Sequence, residues 1–204
     1  MLPILTGNVG VPGGNSGDRE GPFGIAFPGI PMGDNPVKTS IPCFMWTKAI
    51  DDPHNLTALN AGLLGKERLE VPIKFIWNFA SNTLINQHSD INRTKNILSD
   101  ETKCEMIVVI DNLMTASALF SDLLLPATSS FEENDLCYQS YGMELGALIL
   151  REKAIEPLGE CRPLFDICAQ VAERMGVAQT FTEGRTHDHW VVHMYHQCRN
   201  CEWA

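Results

Sequence analysis

The sequence predicts an α/β fold: a Rossmann-like parallel sheet with helices on both faces, preceded by an irregular segment rich in glycine and proline. Two nearly continuous apolar runs, at 72–79 and 104–111, have the composition of strands that are buried on both faces. A helical pattern follows each run, and alternating strands and helices are typical of parallel sheets. The 204 residues are 44% hydrophobic and 20% charged, which provides enough apolar material for a sizeable core.

The first 36 residues contain 15 of the 28 glycine and proline residues in the chain. The run from Gly7 to Gly21 cannot form a helix or a regular strand, because its glycines favour turns and positive φ angles. Such a long irregular loop is usually either functional or disordered. Apolar residues such as Val9 and Phe23 within it argue against a simple linker.

The remaining elements are predicted in order along the chain. The segment from Pro72 to Phe79 is rich in β-branched and aromatic residues and is bounded by a proline, as expected for a buried strand. Ile91, Thr94 and Leu98 recur at helical spacing. The predicted helices are 44–50, 56–64, 85–98, 115–120, 164–175 and a last one after Thr186, and the predicted strands are 72–79, 104–111, 122–126 and 147–155.

The charge balance excludes one broad class of function. Fifteen Lys and Arg against 25 Asp and Glu give a formal net charge of -10, whereas phosphate-backbone binding needs clustered cations. We therefore expect no nucleic-acid partner. No apolar run reaches the roughly 18 residues that a membrane span requires, so direct membrane insertion is not expected. The first seven residues also lack the basic region of a secretory signal.

The seven cysteines are an odd number and are widely scattered, which does not indicate a disulfide framework. We expect most of them to be reduced and several to be packed in the core. Cys198 and Cys201, with His193 and His196 before them, have spacing that could bind zinc. Four ligands within nine residues are cramped for one tetrahedral site, so an exposed and frayed C-terminal helix is the favoured interpretation.

The candidate site lies where the first two strands end, because ligands of open α/β sheets bind beyond the carboxyl ends of the strands. Asn82 follows the first strand and precedes a predicted helix N-terminus, which favours a phosphate group. Asp111 ends the second strand and could accept hydrogen bonds from a ribose or a guanine. Two alternatives remain open: Asn82 as a helix N-cap and Asp111 as a turn residue.

Other motifs of known chemistry do not occur in the chain. The glycine fingerprint of NAD-binding sites, a nucleophile elbow, a His-Glu-x-x-His pair and a phosphate loop are all missing from the sequence. Glu132, Glu133 and Asp135 form an acidic cluster after the third strand. We interpret this cluster as a solvated turn or a helix start.

Three segments, in this order, resemble the molybdopterin oxidoreductase (dimethyl sulfoxide reductase) family. They are Asn8-Val-Gly-Val-Pro-Gly-Gly14, Ile76-Trp-Asn-Phe-Ala-Ser-Asn82 and the run from Val109 to Thr128, which ends Leu-Leu-Leu-Pro-Ala-Thr. The segments 84–94 and 181–185 are similar to the catalytic subunit of anaerobic dimethyl sulfoxide reductases and of selenate-reductase-like paralogues.

The resemblance implies an internal piece of a longer catalytic subunit. In that architecture residues 1–45 are a Gly/Pro-rich segment from a preceding domain, and residues 46–204 are a partial dinucleotide-binding α/β domain. The full-length protein would carry a bis(molybdopterin guanine dinucleotide) molybdenum cofactor, with a 4Fe-4S cluster in a missing N-terminal region. The fragment alone would bind no cofactor and would be inactive.

The resemblance also assigns cofactor contacts by position. The glycine-rich loop would lie near a pterin, Asn82 and Asn86 near a pyrophosphate, and Ile110 and Asp111 at the guanosine end, with Asp122 approaching the guanine. It assigns no catalytic residue and no metal ligand to this chain. The implied cofactor-binding residues are Gly14, Asn15, Ser16, Arg19, Asn82, Asn86, Ile110, Asp111 and Asp122.

The implied activity is reduction of S-oxides or N-oxides by oxygen-atom transfer in anaerobic respiration. A selenate-type oxyanion reductase and a nucleotide-binding or interaction domain without enzymatic activity are the alternatives. The implied partners are the rest of the catalytic subunit, an iron–sulfur electron-transfer subunit and a membrane anchor subunit. The parent protein would be exported to the periplasmic side, whereas the fragment alone would remain in the cytoplasm.

Overall fold

The computed structural model of the chain describes residues 2–14, 30–138 and 148–199. Its helices are α1 (Leu2–Leu5), α2 (Trp46–Asp51), α3 (Ala58–Ala61), α4 (Thr83–Asn86), α5 (Ile91–Leu98), α6 (Leu164–Arg174), α7 (Ala178–Thr182) and α8 (His187–Arg199), with 3-10 turns at Pro53–Asn55 and Ala118–Phe120. Its strands are β1 (Phe75–Phe79), β2 (Met106–Asp111), β3 (Leu123–Pro126), β4 (Asp135–Tyr138) and β5 (Leu148–Arg151).

The first three strands form the predicted parallel sheet in the order β1-β2-β3. In the register of β1 with β2, Phe79 lies opposite Ile110. In the register of β2 with β3, Asp111 lies opposite Pro126. The apolar runs predicted as strands are therefore adjacent and parallel, as the alternation of strands and helices indicated.

Helices cover both faces of this sheet. On one face, Ile107 and Val109 pack in a cluster with Leu84 of α4 and Ile97 of α5. On the other face, Val108 and Ile110 pack against Ile167 of α6, with Leu164 beside them. The strand alternates its side chains between two buried layers, which explains why its sequence is apolar at nearly every position.

The single helix predicted over 85–98 is wrong, because the segment forms two helices separated by residues 87–90. The Asp90 side chain accepts a hydrogen bond from the Arg93 N–H at 3.1 Å and so caps a new helix. The Gln87 side chain accepts from Trp46 Nε1 at 2.9 Å. These polar contacts end α4 after one turn and start α5 afresh.

A second, two-stranded sheet pairs β4 with β5 in antiparallel register. The predicted strand over 147–155 is confirmed for Leu148–Arg151, whereas β4 was not predicted. Its first residue, Asp135, was expected in a solvated turn. Arg151 lies 3.1 Å from the carboxylate of Asp135 and 3.4 Å from that of Glu133, and this pairing accommodates acids in a strand.

The interpretation of the acidic cluster as a solvated turn is also wrong at Glu132, because this residue is only 6% exposed. Its two carboxylate oxygens accept hydrogen bonds from the N–H groups of Ser129 and Leu158, both at 2.7 Å. These donors compensate the carboxylate for lost water. They also hold the pKa of Glu132 below its usual range. Glu132 therefore links the segment after β3 to the chain near Leu158 through a hydrogen bond.

Two of the C-terminal helices, α6 and α8, follow the sequence pattern closely, whereas α7 was not predicted. Helix α6 is closed by Gly176 at a φ of 73°, a left-handed conformation that glycine adopts readily. Helix α8 begins after Thr186, and its Trp190 is 2% exposed. Cys201 lies outside the described residues. In the described part of the chain, no group of three or more His, Cys, Asp or Glu is placed to hold a metal.

Cysteines 43, 104, 137, 161 and 168 are all free thiols. Cys104 is 4% exposed and packs in the core cluster under the sheet, as expected for a core-packed cysteine. Burial raises the pKa of the Cys104 and Cys168 thiols. Within residues 2–14, 30–138 and 148–199, no helix has both the length and the apolar character needed to cross a membrane.

The proposed domain boundary at residue 45 stays a prediction. Ile41 and Met45 pack against a small cluster that includes Ala49, Leu56 and Leu63. The cluster shows that the chain just before residue 46 contacts the chain after it.

Candidate functional site

Three strands of the parallel sheet end together at one edge. The last residues of β1, β2 and β3 are neighbours in register, and the connections 80–82, 112–117 and 127–128 leave from that edge. The Ala127 N–H donates to the Asp111 carbonyl at 3.1 Å, which continues the pairing past the strand. We call this region the carboxyl edge, and it is where ligands of such sheets bind.

The backbone at the end of β1 is strained. Ala80 has a φ of 45°, a left-handed value that a residue with a Cβ adopts at a cost. Its N–H donates to the Ile110 carbonyl at 2.9 Å, so the neighbouring strand fixes this conformation. Unfavourable backbone geometry of this kind is concentrated at ligand sites.

Asn82 does not cap α4 with its side chain, so that alternative is wrong. Its Oδ1 instead accepts two hydrogen bonds from Ser117, one from the backbone N–H and one from Oγ, both at 2.9 Å. Asn82 is exposed, and its Nδ2 has no hydrogen-bond partner among the described residues. The side chain thus joins two connections of the carboxyl edge and keeps a donor for a ligand.

Ser117 is a site residue that sequence reasoning missed. It is 0% exposed, and its Oγ also accepts a hydrogen bond from the Ile85 N–H at 3.3 Å. It therefore satisfies an N–H in the first turn of α4, a role that an N-cap side chain would otherwise fill. A serine between two alanines gives no sign of such contacts in the sequence.

The helix that follows Asn82 is shorter than expected. α4 has four residues, so the favourable dipole predicted for a long helix at this position is largely lost. The Thr83 N–H donates to Ser81 Oγ at 3.2 Å. Asn86, the last residue of α4, is exposed, and its N–H donates to the Asn82 carbonyl at 3.0 Å. This part of the edge therefore presents side-chain donors to a ligand, rather than the N-terminus of a long helix.

Asp111 lies at the end of β2 and is partly exposed. Its Oδ1 accepts a hydrogen bond from the Leu113 N–H at 3.2 Å, as a turn residue does. Its Oδ2 has no partner among the described residues and can accept a ligand's hydrogen bond. The adjacent Ile110 is 0% exposed, and its carbonyl is bonded to Ala80, so its side chain lies in the core.

Asp122 is not brought together with Asn82 and Asp111. It directly precedes β3, and its Oδ2 accepts a hydrogen bond from the Ile107 N–H at 2.7 Å. Ile107 lies four residues before the end of β2, which is about 13 Å along the strand. Asp122 therefore lies towards the opposite edge of the sheet.

The glycine-rich segment is described only in part. The Gly14 N–H donates to the Val11 carbonyl at 2.8 Å in a tight turn. A Cβ on Gly14 would lie 2.4 Å from the Asn8 carbonyl oxygen, so only glycine fits there. The predicted contacts Asn15, Ser16 and Arg19 lie outside the described residues.

The chemistry of the carboxyl edge fits one end of a dinucleotide. The free Nδ2 of Asn82 can donate to a pyrophosphate oxygen. The free Oδ2 of Asp111 can accept from a guanine or ribose hydrogen. The edge can therefore bind and orient a nucleotide.

Comparison with known proteins agrees with the resemblance seen in the sequence motifs. The model of the molybdopterin oxidoreductase family matches residues 1–174. The chain is 53% identical over 197 residues to the putative dimethyl sulfoxide reductase chain YnfE of Escherichia coli, covering 96% of this chain and 24% of that protein. It is 50% identical over 199 residues to the dimethyl sulfoxide reductase DmsA of Haemophilus influenzae, covering 98% of this chain and 25% of that protein.

A solved structure shares the fold. The acetylene hydratase of Pelobacter acetylenicus superposes on 79% of this chain and 19% of its own with a TM-score of 0.58 and 18% sequence identity. The chain spans about a quarter of the length of the two reductases.

Proposed function

This chain belongs to the molybdopterin oxidoreductase family, and from that premise we propose that its carboxyl edge binds the guanosine and pyrophosphate groups of a molybdopterin guanine dinucleotide. The family implies a molybdenum–pterin cofactor. The observation that carries the finer assignment is a pair of polar groups at the edge without a partner among the described residues, Asn82 Nδ2 and Asp111 Oδ2. One is a donor for a phosphate oxygen, and the other is an acceptor for a guanine or ribose hydrogen.

The assembled enzyme reduces an S-oxide. The similarity to dimethyl sulfoxide reductases favours a sulfoxide over the N-oxide and selenate alternatives. The reaction consumes two electrons and two protons, breaks the sulfur–oxygen bond, and yields a sulfide and water. The bound molybdenum cofactor supplies the oxygen-transfer and redox chemistry. Residues of this chain hold the nucleotide end, which anchors the cofactor in a fixed orientation.

The electrons come from an iron–sulfur subunit, and a membrane anchor subunit holds the complex at the periplasmic side. In this arrangement the bis(molybdopterin guanine dinucleotide) cofactor contacts several parts of the catalytic subunit. As the resemblance implies, Gly14, Asn15, Ser16 and Arg19 would contact a pterin, and Asn86 would assist Asn82 at the pyrophosphate. Ile110 would act only by placing the adjacent Asp111, since the whole residue is buried and its carbonyl accepts from Ala80. Asp122 is not part of the proposed guanine site, because its Oδ2 accepts from the Ile107 N–H towards the opposite edge.

The test uses the protein at the length that its gene encodes, purified without oxygen. We expect molybdenum in the protein, GMP as the nucleotide released by acid hydrolysis, and reduction of dimethyl sulfoxide by a reduced viologen dye. Metal analysis, chromatography of the released nucleotide and dye oxidation measure the three properties. Protein that contains AMP or CMP instead of GMP, or no nucleotide, would contradict the proposal.

A further inference from the structure

The backbone N–H and the hydroxyl of Ser117 make three hydrogen bonds with Ile85 and Asn82. The Ile85 N–H can only donate, so the Ser117 hydroxyl must accept from it. The single hydroxyl hydrogen is then left for Asn82 Oδ1, 2.9 Å away. The Ser117 backbone N–H donates to the same oxygen, also at 2.9 Å. Because Ser117 is 0% exposed, water cannot replace these partners.

This arrangement fixes the orientation of the Asn82 amide. The Ser117 backbone N–H can only donate, so the Asn82 atom that faces it must be the carbonyl oxygen, and the hydroxyl donates to the same atom. A flipped amide would place its NH2 group against the Ser117 backbone N–H, which can only donate, and would leave the hydroxyl hydrogen without this acceptor. The NH2 group is therefore held on the side away from Ser117, with no partner among the described residues.

We propose that Ser117 is a positioning residue that holds Asn82 with its NH2 group directed at a pyrophosphate oxygen of the cofactor. The proposal rests on the proposed function and adds to it a buried residue outside the cofactor contacts that the family resemblance implies. Ser117 does not touch the ligand. It selects which face of the amide is presented, and a donor suits an anionic oxygen whereas an acceptor repels one.

The first test is Asn82→Asp, which changes one NH2 group into an oxygen. The carboxylate still accepts both hydrogen bonds from Ser117, so the melting temperature should not fall. The outward donor becomes a negatively charged acceptor, and the guanine dinucleotide should leave the purified protein about ten- to a hundredfold faster. The release rate is followed as GMP in acid hydrolysates of successive ultrafiltrates. Asn96→Asp, the same change at an exposed residue of α5, is the control.

The second test is a double-mutant cycle with Ser117→Ala. Alone, this variant should release the dinucleotide about tenfold faster, because Asn82 loses one of its two fixed bonds. In the Asn82→Asp background it should cause little further acceleration, since the donor that it positions is already gone. Ser117→Thr keeps the hydroxyl and should retain the dinucleotide better than Ser117→Ala.

The outcomes separate the two proposals. Wild-type protein that contains no GMP would overturn the proposed function. Loaded wild-type protein with an Asn82→Asp release rate equal to that of Asn96→Asp would overturn the positioning role alone. Equal acceleration by Ser117→Ala in both backgrounds would also overturn it, because Ser117 would then act through the stability of α4 and not through Asn82.

Discussion

At the scale of single residues, Ala80 shows what the sequence could not reveal. The run 80–83 is recognisable as a polar turn, but alanine carries no signal for a left-handed backbone. The φ of 45° is imposed by the hydrogen bond from Ala80 to Ile110 in the adjacent strand. Asn82 similarly looked like a helix cap until its bonds to Ser117, 35 residues away, were visible.

We expect Ala80→Gly to stabilise the protein. Glycine removes the cost of the left-handed conformation, which is roughly 1–2 kcal/mol. Its greater freedom in the unfolded chain lowers stability by about 0.5–1 kcal/mol. The net gain should be about 0.5–1 kcal/mol in the free energy of unfolding, measured by urea denaturation. Ala116→Gly is the control, because Ala116 is exposed and its φ is not positive, so glycine there should lower stability. A loss of stability in Ala80→Gly would mean that the backbone at residue 80 is not strained.

At the scale of elements, predictions were best where local pattern determines structure. The buried strands and α6 have continuous or periodic apolar residues, so their composition alone identified them. The break between α4 and α5 and the strand β4 depend on partners distant in sequence: Gln87 bonds Trp46, and Asp135 pairs with Arg151. A single sequence does not show such partners.

The segment after β3 should respond to acid through Glu132. Its folded pKa is lowered from the ordinary value of 4.5, so its contribution to stability is complete above pH 4.5. That contribution is lost as the pH falls through the folded pKa. Glu132→Gln should therefore be less stable than wild type at pH 7, and the difference should shrink below pH 4.5.

Urea denaturation midpoints between pH 3 and pH 7 provide the measurement. Asp51, whose pKa is also lowered, by Lys103 and Arg93, titrates in both proteins and cancels from the difference. Glu101→Gln, at an exposed carboxylate, should follow wild type at every pH. A stability difference between Glu132→Gln and wild type that does not change with pH would contradict the role given to the Glu132 carboxylate.

At the scale of the whole molecule, the sequence predicted the parallel sheet, its two helical layers and the family. Parallel sheets buried on both faces leave a strong apolar signature, and the family motifs lie at the ends of strands. The assembly of the site was less predictable. The family resemblance placed Asp122 near the guanine with Asp111, yet the sheet places the two residues towards opposite edges.

The proposal that the carboxyl edge binds the guanosine is tested most directly by substituting Asp111. In the protein at its encoded length, Asp111→Ala removes the carboxylate that we propose accepts the guanine or ribose hydrogen. Losing that charge-assisted bond costs about 1.5–3 kcal/mol, so GMP-containing cofactor should dissociate about ten- to a hundredfold faster. Glu101→Ala, which removes an exposed carboxylate without a partner among the described residues, should match wild type. Equal cofactor release from the Asp111 and Glu101 variants would show that the guanosine is bound elsewhere.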